Sequence, residues 1–114
     1  MDKRVSEALV FANYKLTLQV QRQNIDARVA TAMLVSYQGA IFKTTQDLIS
    51  FVELHSRLGF DLFVEDHSGN VIKIENPQEF LALLIEAYTS AMQFKHAEQQ
   101  KLKAARSTAK IVGL

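Results

Sequence analysis

The chain has 114 residues, 48% of them hydrophobic and 22% charged, with a formal net charge of +1 and no cysteine. That length suits one domain with a small core, that hydrophobic content excludes general disorder, and the near-neutral balance lacks the global positive field of a dedicated nucleic-acid binder. Without cysteine there is no disulfide framework, thiolate zinc site or cysteine nucleophile.

The opening segment, "MDKRVSEALVFANYK", has neither the apolar run nor the cleavage site of a signal peptide, and no stretch approaches the ~18 consecutive apolar residues of a membrane span. The expectation is a soluble protein made in the cytoplasm, with no membrane partner. No glycine or proline precedes Gly39. Within that stretch "KLTLQVQ" (Lys15 to Gln21) alternates as a strand would, with Leu16, Leu18 and Val20 on one side. Helical spacing competes with it: Val5, Leu9, Ala12, Leu16 and Val20 form one stripe, and Phe11, Tyr14, Leu18, Ile25 and Val29 form another. With no turn chemistry to bound a strand, the pattern predicts one long helix from Lys3 to Ala32, with Asn24 as the candidate break.

"MLVSYQGAIFK" then reads as two short strands around Gln38-Gly39. A helix follows, capped by Thr44 or Thr45, carrying Asp47 in its first turn, burying Leu48, Phe51, Val52 and Leu54 or His55, and stopping at Gly59. A second hairpin pairs "FDLFVED" with "VIKIEN" through "HSGN". Asn76 caps the last helix and Pro77 takes its first turn. Phe80, Leu81, Leu84, Ile85, Tyr88, Ala91, Met92 and Phe94 give that helix a wide apolar face. Beyond Lys95 the sequence turns basic and polar, which predicts an exposed or frayed extension over residues 95–114 of a single domain spanning 1–114. The fold class expected is therefore α+β: a long N-terminal helix, two β-hairpin-helix units forming a small antiparallel sheet packed on helices, and a long C-terminal helix.

Three groups of residues merit weighing as chemistry. In "EDHSGN", Asp66, Ser68 and Asn70 have a fragment of calcium-loop spacing, but Gly69 falls too early and strand residues follow at once. The turn also feeds a strand, where a phosphate cradle would feed a helix N-terminus, so the segment reads as a hairpin corner. His55, His67 and His96 show no paired ligand spacing, and Glu53, Asp66 and Glu75 would need a cleft to act as acid and base. The expectation is no enzyme, with no catalytic, metal or cofactor-binding residue and no cofactor.

Surface features remain. Residues 41–94 carry Lys43, Arg57 and Lys73 against eight acidic side chains, a balance of −5 that the two flanks reverse. Lys95, Lys101, Lys103, Arg106 and Lys110 form a basic patch, but no aromatic follows Phe94 to stack on bases, so nucleic acid is disfavoured as a partner. Phe11, Tyr14, Leu18, Tyr88, Met92 and Phe94 are candidate anchors for pairing the long helices with each other or with a second copy, and a homo-oligomer is expected.

The stretches "GAIFKTTQDLISFVELHSRLG" and "VEDHSGNVIKIENPQEF", followed by a long helix closing with "KLKAARSTAKIV", resemble a group of small proteins of T4-like marine phages, especially cyanophages, from about Asn13 onward. The hairpin and closing helix are more faintly similar to modules of phage tail-fibre and fibre-assembly proteins. The motifs shared are structural: the glycine hairpin before Phe42, the turn before "VIKIENPQEF", and Arg106-Ser107. The resemblance implies a virion-associated or assembly role with other phage proteins as partners, in the cytoplasm of the infected host cell or in the virion, and it brings no catalytic residue. A nucleic-acid-binding regulator using the basic terminal helix is the alternative.

Overall fold

The computed structural model describes residues 3–111, with side chains described through residue 105. In chain order the elements are α1 (Lys3–Ala32), β1 (Leu34–Tyr37), β2 (Ala40–Lys43), α2 (Gln46–Leu58), β3 (Leu62–Glu65), β4 (Val71–Ile74) and α3 (Pro77–Ile111). The fold is α+β, with long helices at both ends and two antiparallel hairpins between them.

α1 is continuous through "KLTLQVQ" and through Asn24. A strand there would need a partner edge for its backbone groups, whereas a helix satisfies them internally, and Ile25 and Val29 anchor its last turns as buried residues. Thr17 and Thr31 donate their hydroxyls to the carbonyls of Asn13 and Ala27 one turn back, which satisfies both hydroxyls within the helix.

The strands form two separate two-stranded sheets rather than one sheet of four. In the first, Gln38 and Gly39 take φ of 50° and 75°. This is the paired left-handed turn that matches the twist of a two-residue hairpin. The two hairpins are tied by a few bonds. His67 N–H donates to the Ile41 carbonyl at 2.7 Å. The Gln38 side chain donates to the Lys73 carbonyl at 3.0 Å and accepts from Glu75 N–H at 2.9 Å.

Thr45 is the α2 N-cap, accepting from Leu48 N–H, and Gly59 closes the helix in the left-handed conformation. α2 buries a narrower stripe than its sequence predicts. Val52 is fully buried and Leu48 and Ile49 are half-buried, while Phe51 and Leu54 lie in solvent. A helix packed on one neighbour covers one side only. α3 opens as expected: Glu79 N–H donates to Asn76 Oδ1 at 3.2 Å, with Pro77 in the first turn.

α3 is the spine. Its first half carries the larger core, in which Phe42, Val52, Leu62, Phe80 and Leu84 are fully enclosed and the Phe42 and Phe80 rings meet edge to face at 4.9 Å. Its second half runs antiparallel to α1 and shares a smaller cluster of Ile25, Val29, Met33 and Ala91, flanked by Tyr88, Met92, Phe94 and Leu102. The segment after Lys95 is thus continuous helix to Ile111, with Leu102 half-buried against α1. A head and a two-helix stalk result, measuring 69 × 25 × 17 Å with a radius of gyration of 20.9 Å, where a compact chain of this length would have about 13 Å.

Candidate interaction surface

The stalk is where sequence and burial disagree with a self-sufficient fold. At about 100° per residue, Tyr14, Leu18, Ile25 and Val29 share the side of α1 that faces α3, with Tyr14 and Leu18 half-buried and the other two buried. Val5, Leu9, Leu16 and Val20 fall on the opposite side and are 45–59% exposed. α1 therefore has two apolar faces, and among the described residues only one of them is covered. Phe11 is also exposed and carries Lys15 Nζ 4.7 Å from its ring centroid.

A second apolar row lies on the head. Phe51, Leu54 and Leu58 are 41–55% exposed on the outer side of α2. The His55 ring stacks against Phe51 at 4.0 Å and approaches Phe60 at 6.5 Å. The covered side of α2 meets α3, where Gln46 donates to the Tyr88 hydroxyl.

The candidate anchors separate into two sets. Tyr88, Met92 and Phe94 are half-buried within the chain, against α1, and Arg28 lies over the Phe94 ring at 4.4 Å. Tyr14 and Leu18 sit in the same seam, leaving Phe11 alone of the six in solvent. Free apolar area belongs instead to the Val5-Leu9-Leu16-Val20 row, to α2 and to the hairpins, where Ile41, Phe63 and Val71 are 51–67% exposed. The sequence carried the signal for the first in its two interleaved stripes on a single helix, a pattern with more apolar faces than one neighbour can cover.

The basic patch divides as well. Lys95 is half-buried in the seam and lies 4.0 Å from Asp26. Lys101 is paired with Glu98 at 3.1 Å. Lys103 lines a shallow groove along the stalk with Leu18, Arg22, Ile25, Asp26, Lys95, Gln99 and Leu102, so the partner carboxylate of Lys95 sits among its cations. The side chains of Arg106 and Lys110 lie outside the described residues.

The 66–70 turn is a hairpin corner. Asp66 Oδ1 accepts from Ser68 N–H at 3.0 Å and from Asn70 N–H at 2.8 Å, and Gly69 takes a φ of 88°. One carboxylate oxygen is thereby committed to its own turn. Among the described residues no three His, Asp or Glu side chains gather as metal ligands, and no helix is long and apolar enough to cross a membrane.

No family model matches the chain, and neither a curated protein nor a solved structure shows significant similarity to it.

Proposed function

We propose that this chain is a non-enzymatic phage structural or assembly protein that works through protein–protein contacts of its helical stalk. The observation that carries the reading is the row Val5, Leu9, Leu16 and Val20, held in water on the side of α1 opposite α3. A regular row of large apolar side chains at helical spacing, on a helix already packed on its other side, is the form of a coiled-coil seam awaiting a partner. The phage assignment rests on the resemblance of the hairpin and terminal-helix motifs; the interaction surface rests on burial.

The test is solution mass by light scattering at tens of micromolar, in low and high salt. The expected result is a species heavier than the 12.9 kDa chain that persists at high salt, since buried apolar area is weakly screened. Leu9→Glu with Leu16→Glu removes two side chains worth about 1.5–3 kcal/mol each when buried. That pair should weaken association by roughly 100-fold or more while helicity by circular dichroism is retained. A wild-type chain that stays monomeric, and whose binding to other phage proteins the double variant leaves unchanged, refutes the reading.

The cations Arg22, Lys95 and Lys103 along one groove favour a second reading, a nucleic-acid contact through the basic terminal helix. It predicts binding that falls steeply with salt and is lost in Lys101→Ala, Lys103→Ala, Arg106→Ala. Fluorescence anisotropy with a single-stranded and a duplex oligonucleotide measures both, and salt-independent or absent binding removes it.

A further inference from the structure

We propose that the partner of the stalk is a second copy of this chain, docked head to tail, with the exposed row of each α1 seated along the exposed row of the other copy's α2. This rests on the reading of the stalk as a protein-binding surface and adds its occupant and orientation.

The spacing of the two rows is the first argument. Along α2, Asp47, Phe51, Leu54 and Leu58 follow at intervals of four, three and four, the repeat of one side of a helix; on α1 Val20, Leu16 and Leu9 follow on one side at intervals of four and seven, with Asn13 at the place between Leu16 and Leu9. Leu16 and Leu9 are seven residues apart, as are Phe51 and Leu58, so both pairs can be in register at once. Both helices also run in the same direction along neighbouring faces of α3, α1 against Ala91 and Leu102 and α2 beside Tyr88. Two copies related by a two-fold axis across the molecule therefore bring α1 of each antiparallel to α2 of the other, and form the same contact twice.

Charge supplies the second argument. On the stalk, residues 3–24 carry Lys3, Arg4, Lys15 and Arg22 against Glu7, and residues 95–111 carry five cations against Glu98. The head between them is net acidic, at −5 over residues 41–94. Copies lying stalk to stalk would set like charges together; copies lying head to tail set opposite charges together.

The charged residues of α1 flank this contact rather than line it: at about 100° per residue Glu7, Lys15 and Arg22 fall toward the α3-facing side with Leu18 and Ile25, where Arg22 lines the groove, so their match to α2 is one of level along the axis. With Leu16 opposite Phe51 and Leu9 opposite Leu58, the antiparallel register brings Asp47 to the level of Val20, within a turn of Arg22. It brings Glu53 to the level of Tyr14, one residue from Lys15, and Arg57 within a turn of Glu7. The parallel register, with Leu9 opposite Phe51 and Leu16 opposite Leu58, sets Lys15 beside Arg57. Lys15, Arg22, Asp47, Glu53 and Arg57 are all exposed, and no ion pair within the chain engages Arg22, Asp47 or Glu53 among the described residues. The apolar rows hold the two copies, and the separation of charge between head and stalk, acting at longer range, chooses their direction.

The experiment is a charge exchange on the full chain. One variant carries Lys15→Glu and Arg22→Glu on the stalk; the other carries Asp47→Lys and Glu53→Lys on the head. All four positions are exposed, and circular dichroism checks that each variant folds. Each alone should self-associate at least about tenfold more weakly than the wild type at low salt, and an equimolar mixture should recover association in a species containing one of each. The natural absence of cysteine permits a second readout. A tagged Gln19→Cys chain and an untagged Ser50→Cys chain, mixed and oxidised, should yield mainly the mixed disulfide. A product joined mainly between the thiols of two Gln19→Cys chains, or association that persists in both charge variants without gain on mixing, overturns the head-to-tail arrangement and leaves the stalk's role as a protein-binding surface standing. A wild-type chain that stays monomeric at tens of micromolar overturns the self-partner outright. A retained effect of the apolar substitutions on binding to another phage protein would then preserve the broader reading.

Discussion

Gln38 does more than turn a corner. Its backbone accepts a left-handed conformation that a non-glycine residue adopts at some cost, and its amide spans the gap between the hairpins with one donated and one accepted bond. Gln38→Ala keeps the backbone demand and removes both bonds, so it should cost about 1–3 kcal/mol at roughly 0.5–1.5 per bond, measured by urea unfolding. Beside it, the Tyr37 hydroxyl donates to the Asn76 carbonyl at 3.3 Å. Partial burial, and then the charge of Glu79, raise its pKa above the ordinary 10.0. The folded state therefore holds the phenol proton more tightly than the unfolded chain does, so this contribution to stability is complete below about pH 10 and declines as the pH climbs past it. Urea midpoints from pH 8 to 11 should fall less steeply at the alkaline end in Tyr37→Phe than in the wild type. Thr44 is 2% exposed and its hydroxyl has no hydrogen-bond partner among the described residues. Thr44→Val keeps the shape and removes an unsatisfied group, and should raise stability by roughly 1 kcal/mol in the same titration.

The helix caps, both hairpins and their order were legible because each is written in adjacent residues: Thr45 with Leu48, Gln38 with Gly39, Asn76 with Pro77 and Glu79. The length of α1 was legible from the absence of glycine and proline before Gly39, while the candidate break at Asn24 is continuous helix. What could not be read was which side of a helix finds company. Phe51 and Leu54 have the spacing of a buried stripe, yet α2 has only α3 and the hairpin core beneath it, and that contact is filled by Leu48, Ile49 and Val52. Nor could adjacency in sequence say that the hairpins would stay separate sheets, because their relation depends on how both seat on Phe80 and Leu84 of α3. Phe80 is where those elements converge, packing with Tyr37 at 5.1 Å and Phe42 at 4.9 Å. Phe80→Ala should cost about 3–5 kcal/mol, read as a lowered thermal midpoint. Along α1 the anchoring is uneven, with buried contacts at Ile25 and Val29 and half-buried ones at Tyr14 and Leu18. Amide hydrogen exchange should be fastest near Lys3 and slow progressively toward Ala32, and the amino-terminal amides should slow further as concentration rises into the range where copies associate.

At 69 Å by 25 Å the molecule is a rod with its charges sorted toward opposite ends. Small-angle scattering distinguishes ways of pairing such rods. Side-by-side, head-to-tail pairing doubles the mass while keeping the longest dimension near 69 Å, whereas end-on pairing of stalks would extend it greatly. The continuity of α3 from Pro77 to Ile111 gives this pairing a further property. A two-fold contact made twice requires the same interval between α1 row and α2 row in both copies, and that interval is counted out along one unbroken helix at 1.5 Å per residue. The spine is thus a gauge of identity. A chain lengthened by matched seven-residue insertions in α1 and α3 would keep every contact residue, pair with its own kind, and fail to pair with the original.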